Sequence, residues 1–182
     1  MPEPPRERIT KLDAIQRQLR TAIRLFFEER DVFPIFTLAA ACQDLLRDLL
    51  RPSGRGSFIK DSKIIRPERI KEFRDIIRRP QNFLKHADSD PEEILEFNPR
   101  TLDYVLFDCV LMYQVHTERR LREGFVFEMW FYDAYPDVLL DGEYKDKVRL
   151  ALKKLGIRLN KRLFLQALDL PDLRETLMSN FD

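Results

Sequence analysis

Apolar residues recur along most of this chain at spacings of three and four, the period of a helix that buries one face. Leu12, Ile15, Leu19, Ile23 and Phe26 form the first such stripe, behind a Thr10–Asp13 pair that has the spacing of a capping box. Ile35, Leu38, Ala39, Cys42, Leu45, Leu46 and Leu49 form the second, with Pro34 placed as a first-turn proline and Ala39, Ala40 and Ala41 allowing close helix approach. A connector rich in glycine, serine, proline and basic residues spans 51–67. A third stripe of Ile70, Phe73 and Ile77 then follows Pro67. Pro80 predicts a break or kink after Arg79, with one or two further turns from Gln81 to Ala87. Leu102, Val105, Leu106, Cys109, Met112 and Tyr113 make the next apolar face, with Thr101 and Asp103 near its start. Thr117 begins another helix or continues this one, and Phe125 to Tyr135 carry aromatics nearly all round, as in a central helix or one at a subunit contact. Shorter amphipathic segments follow at Glu143 to Leu155, Lys161 to Leu168 and Pro171 to Met178, punctuated by Asp141-Gly142 and Gly156.

Together these patterns predict an all-α protein: an antiparallel helical bundle over residues 1–136, with a helical C-terminal extension, 137–182, packed on the same domain. Only five glycines occur in 182 residues, and no hairpin-type Gly pair separates alternating segments, which argues against an all-β fold. The 14 phenylalanines predict an aromatic core. Lysine plus arginine (32) almost cancels aspartate plus glutamate (31), so no global field draws the chain to nucleic acid and any such site is a local basic patch. Cys42 and Cys109 lie within apolar stripes outside any C-x-x-C motif, as buried free thiols of a reducing compartment do. The start, "MPEPPRERIT", has no apolar signal region, and no apolar run approaches the ~20 residues a membrane span needs. A cytoplasmic location with no membrane partner is therefore expected.

The stretch "RRPQNFLKHADSDPEE", residues 78–93, looks least like packing. His86 can take or give a proton near neutral pH. Arg78 and Arg79, about two helical turns upstream, can hold a phosphate, and Asn82 lies four residues before His86 on the same helical face. Proton transfer beside a held phosphate is what RNA cleavage requires, because the 2′-hydroxyl supplies the nucleophile. The simpler alternative is a histidine in the last turn of a short helix, favoured there by the helix dipole, with "DSDPEE" as a charged turn.

The helix leading into "PIFTLAAACQDLLRDLL", followed by "RRPQNFLKHA", resembles the HEPN superfamily of small helical bundles over roughly residues 10–135. The family motif is an arginine, four to six residues, then histidine. The resemblance implies an antiparallel four- to five-helix core, often a homodimer with motif residues of both chains facing one another. It implies a metal-independent endoribonuclease in catalytic members and a binding module in others. Arg79 and His86 satisfy the six-residue spacing. The tighter register retains Asn82 and His86 but places Gln81 where the arginine belongs, and Pro80 stands where a polar residue usually follows the arginine. The candidate catalytic set is thus His86 as acid/base, Arg79 or Arg78 on the phosphate and Asn82 as orienter, with no cofactor or metal implied.

Other constellations are weaker. His86, Asp88, Asp90, Glu92 and Glu93 lack the glycine and ligand spacing of a calcium loop, and His116 with Glu118 is not a zinc-type helical pair. "PSGRGS" lacks the terminal G-K-S/T of a phosphate loop. Basic groups gather at Arg47, Arg51, Arg55, Lys60 and Lys63, and at Arg119, Arg120 and Arg122, as a phosphate-contacting patch or a salt-bridged surface. Three readings of function follow: a dimeric HEPN-like module acting on or beside RNA, a non-catalytic adaptor that binds a protein partner through the aromatic helix, and a helical regulator with an aromatic-lined cavity near Trp130.

Overall fold

Why the chain turns where it does is clearest at the first hairpin. In a computed structural model that describes residues 6–58, 70–86, 88, 90–136, 143–155 and 160–169, α1 (Lys11–Phe27) starts at the expected capping box: the Thr10 hydroxyl accepts from Asp13 N–H, and the Asp13 carboxylate accepts from Thr10 N–H at 2.8 Å. The helix ends in a Schellman motif. Arg30 N–H donates to Leu25 C=O and Glu29 N–H to Phe26 C=O, with Glu29 at φ +54 where glycine is usual. Asp31 then caps α2 (Val32–Leu50) through Phe33 N–H at 2.9 Å, so the reversal takes four residues.

The described elements are helical throughout: α1, α2, a short 3₁₀ turn at Arg51–Ser53, α3 (Ile70–Phe83), α4 (Arg100–Thr117), α5 (Arg122–Ala134), α6 (Glu143–Leu155) and α7 (Lys161–Asp169). The protein is an all-α bundle. Two antiparallel hairpins, α1–α2 and α4–α5, pack with α2 against α4 and α1 against α5, while α7 leans on α1 and α5 and α6 on α5. The helix expected from Pro171 to Met178, and the punctuation at Pro67, Asp141-Gly142 and Gly156, lie outside the described residues.

The first stripe is buried as the spacing predicts, with Ile15, Leu19 and Ile23 wholly out of water. In α2 the buried face is rotated: Phe36, Gln43 and Leu50, seven apart, join Ile35, Ala39, Cys42 and Leu46, while Leu38, Leu45 and Leu49 are only partly covered. α4 is more central than its stripe suggests, since Phe107, Asp108 and Val110 are buried along with the expected face. The aromatic helix α5 is central too, buried continuously from Glu123 to Phe131. Phe131 stacks on Phe107 with ring centroids 4.0 Å apart, and Phe127 and Trp130 meet Phe26 edge-on at 5.2 and 4.7 Å. Both cysteines are free and buried, and burial alone pushes the Cys42 thiol up to about 12.

Of the break or kink expected at Pro80, the break does not occur: α3 runs through it to Phe83. Proline forfeits its own helical hydrogen bond, yet the bonds after it persist, from Leu84 N–H to Pro80 C=O at 3.1 Å and from His86 N–H to Asn82 C=O at 2.9 Å. Tertiary anchoring on this turn compensates for the lost bond, because Ile77, Pro80 and Gln81 are all buried there.

Because Phe131 is wholly enclosed among rings, Phe131→Ala should lose about 3–5 kcal/mol in urea unfolding. Ile76→Ala, at a position that is 46% exposed, should stay within about 0.5 kcal/mol.

Candidate functional site

With α3 continuous, helical geometry assigns the expected residues to faces. Taking 100° per residue, Ile77, Pro80 and Gln81 occupy one side, and Arg78, Asn82, His86 and Arg79 fall on the other. Burial agrees: the first three are buried and the last four are exposed. Arg79, Asn82 and His86 therefore share one outward stripe, with Arg78 at its edge. Arg79 and His86 are seven positions apart, a rise of about 10 Å along the axis, so one chain presents the two groups as neighbours in a row and does not bring them onto a single atom.

The stripe's side chains differ in how they are engaged. Arg79 donates from Nε to Glu93 Oε1 at 2.8 Å, clasping the segment after α3 back onto the helix. Lys85 reaches Asp44 of α2 at 3.2 Å. Arg78, Asn82 and the His86 ring have no side-chain hydrogen bond or ion pair among the described residues. Beside Arg79 lies a groove of about 390 Å³, walled by Ile76, Pro80, Leu95 and Thr101; His86 does not line it. Of the basic groups named from sequence, Arg51 pairs with Asp48, Arg120 sits over the Phe125 ring, and Lys60 and Lys63 lie outside the described residues. Among the described residues no three His, Cys, Asp or Glu side chains gather as a metal would require. No described helix is long and apolar enough to cross a membrane.

Gln81, which stands in the arginine position of the tighter motif register, points inward. Its amide donates to Gln43 Oε1 at 3.3 Å, and Gln43 Nε2 donates to Asp108 Oδ2 at 2.6 Å. The wholly buried Asp108 also accepts from Ser57 Oγ at 2.6 Å and, on its other oxygen, from Phe58 N–H at 2.7 Å. This knot joins α2, α3, α4 and the connector. Hydrophobic patterning passes over it, because Gln43 and Asp108 are polar residues at core positions. The available signal was a lone acid inside the apolar run "VLFDCVL".

A second polar cluster also escaped the sequence reading. The Tyr135 hydroxyl hydrogen-bonds Asp103, and Lys161 Nζ sits 3.7 Å from the centroid of Phe26 and 5.7 Å from that of Trp130. Burial raises the Asp103 carboxyl above its usual range, opposed by the Tyr135 hydrogen bond and by the Lys161 and Arg100 charges. Burial also lifts the Tyr135 hydroxyl and pulls the Lys161 amine down. The pair bridges the first turn of α4 and the end of α5, a distance of 32 residues that no local pattern spans.

No protein-family model, curated protein or solved structure matches the chain.

Two expectations follow from these clusters. Asp108→Asn exchanges one acceptor oxygen for a donor facing donors, so it should lose about 1–3 kcal/mol and speed amide exchange at Phe58. Asp103 takes up its proton more readily in the folded than in the unfolded chain, so the stability this gives is complete below about pH 4 and lost as pH rises through the folded value. The non-ionising Asp103→Asn should therefore gain in melting temperature relative to the parent between acid and neutral pH.

Proposed function

We propose that this chain is a HEPN-like helical module that acts on RNA from the outer stripe of α3. The observation that supports the reading is that stripe: Arg78 and Asn82 on α3, and His86 on the turn that continues it, stand exposed and unengaged opposite the buried face. Arg79 is held by a solvent-exposed ion pair, of a kind worth at most about 1 kcal/mol, so a phosphate can take Glu93's place. The arginines hold the phosphate backbone and Asn82 orients it. His86 takes the 2′-hydroxyl proton as that oxygen attacks phosphorus and the 5′-oxygen departs. The rise between Arg79 and His86 gives a homodimer a role, since a second stripe facing the first would set one chain's arginine against the other's imidazole. The two buried free thiols fit a cytoplasmic setting.

The second reading is a non-catalytic adaptor for a protein partner. It draws on the Arg79–Glu93 clasp and on the inward Gln81, both of which give the motif positions a part in holding the turn.

Single-stranded RNA, incubated with purified protein in chelator, separates the two. His86→Ala should lower cleavage by about 10²–10⁴-fold with binding retained. Replacing Arg78 and Arg79 by glutamine should weaken binding and flatten its dependence on salt by about 0.7 per arginine removed. Cleavage unchanged in His86→Ala removes the assignment, and the absence of any salt-dependent RNA binding leaves the adaptor.

A further inference from the structure

Where α1 ends and α2, α4 and α7 begin, the bundle forms an open cavity of about 270 Å³ on the other side of α4's first turn from the Arg79 groove. Its floor is apolar: Phe26, Val32, Ile35 and Leu102. Its charged lining is Arg30, Arg100 and Lys161 with Glu29 and Asp103, and the pairing among the cations is uneven. Arg30 is paired with Glu28 at 3.2 Å. Arg100 and Lys161 have no carboxylate within ion-pair distance among the described residues. Lys161 is half-buried against the faces of Phe26 and Trp130, which leaves its ammonium partly stripped of water; the rings answer it at contact, and the Asp103 and Glu29 charges act on it from beyond ion-pair distance.

Two acids also line the cavity. Asp103 has its carboxylate engaged by the Tyr135 hydroxyl on the wall, and exposed Glu29 sits on the turn. Neither closes an ion pair with Lys161 or Arg100. The turn itself is held in a left-handed conformation at Glu29, a residue for which that backbone is strained, and strain of this kind concentrates at ligand-binding places. The starts of α2, α4 and α7 all face this space, and the positive ends of their dipoles add to the two unpaired cations.

We propose that this cavity binds a small organic monoanion with a compact apolar body, a short aliphatic or aromatic carboxylate. Its carboxylate lies between Arg100 and Lys161, and its body rests on Phe26, Val32, Ile35 and Leu102. The size of the cavity, just under the usual range for ligand pockets of about 300–1,000 Å³, admits one ring or a short chain and excludes a nucleotide. Burial lowers the basicity of Lys161 more than the Asp103 and Glu29 charges raise it, so a carboxylate placed at contact would add to its ionised form. The proposal does not rest on the RNA reading.

The chain's single tryptophan gives a direct readout, as Trp130 shares Lys161 with the cavity. Benzoate and hexanoate are titrated into the full chain, followed by Trp130 fluorescence and by ligand-observed NMR, with benzylamine and benzyl alcohol as charge controls. Saturable binding of a carboxylate in the millimolar range or tighter is expected, with the controls at least tenfold weaker, about the effect of one charge-assisted hydrogen bond. Arg100→Gln, at an exposed position that leaves the core untouched, should weaken benzoate about tenfold, and Lys161→Met likewise. Lys161→Arg should retain binding, and so should His86→Ala, which separates this site from the α3 stripe. Circular dichroism confirms that each variant is folded. The proposal is overturned if neither carboxylate saturates, if benzyl alcohol or benzylamine binds as tightly, or if folded Arg100→Gln and Lys161→Met bind benzoate as the parent does.

Discussion

The buried carboxylate of Asp108 is the constraint on which the arrangement of the other helices turns. A carboxylate removed from water must find donors inside the protein or lose its charge. Here donors reach it from two distant segments: the Gln43 amide from α2, and the Ser57 hydroxyl and Phe58 N–H from the connector after it. A one-turn slip of α2 against α4 would strand those donors and the acceptor together, so the knot sets register as well as proximity. Apolar packing alone is more permissive, because a stripe of leucines tolerates sliding that a hydrogen bond of 2.6 Å does not.

The same knot determines what α3 shows to solvent. Gln43 spends its amide on Asp108 and its carbonyl oxygen on Gln81, which draws that turn of α3 inward beside Ile77 and Pro80. On a helix, once one residue's direction is set, every other follows at 100° per step, so Arg79, Asn82 and His86 face outward as a consequence of Gln81 facing in. The absence of an arginine at position 81 is therefore an architectural fact. A guanidinium there would bring a further charge into a core that already holds a carboxylate, and it would displace the amide that links α2 to α3.

Much of the fold was legible because it rests on periodicity. The capping box at Thr10, the stripes of α1 and α4, the extent of α6 and the centrality of α5 all follow from spacing and local chemistry. What was not legible depends on contacts between distant residues. The rotation of α2 toward Phe36, Gln43 and Leu50 is dictated by α4, and a hydrophobicity pattern discounts a glutamine. Pro80 reads locally as a break, yet burial of its own turn outweighs the missing hydrogen bond. For the residues named between 78 and 86, what the sequence left open was their relation, since a helix broken at Pro80 and a helix running through it place Arg79 and His86 differently. The Asp103–Tyr135–Lys161 cluster is assembled from three helices and has no sequence motif to announce it.

The short segment before α4 brings these parts together. Phe97 docks against Phe33 and Phe36 with ring centroids 5.3 and 5.4 Å away, Asn98 caps Arg100 N–H at 3.0 Å, and Pro99 opens the helix. That anchor sends Thr101 toward the groove beside Arg79 and sends Arg100, Leu102 and Asp103 toward the cavity beneath Lys161. Successive residues of a helix point about 100° apart, so a single turn can serve two surfaces without either side chain set meeting the other. It also means that neither surface is independent of the ring contacts at Phe97. A shift of that anchor would rotate the first turn of α4 as a unit, opening one surface as it narrows the other, while Asp108, two turns further on, held the rest of the helix in place.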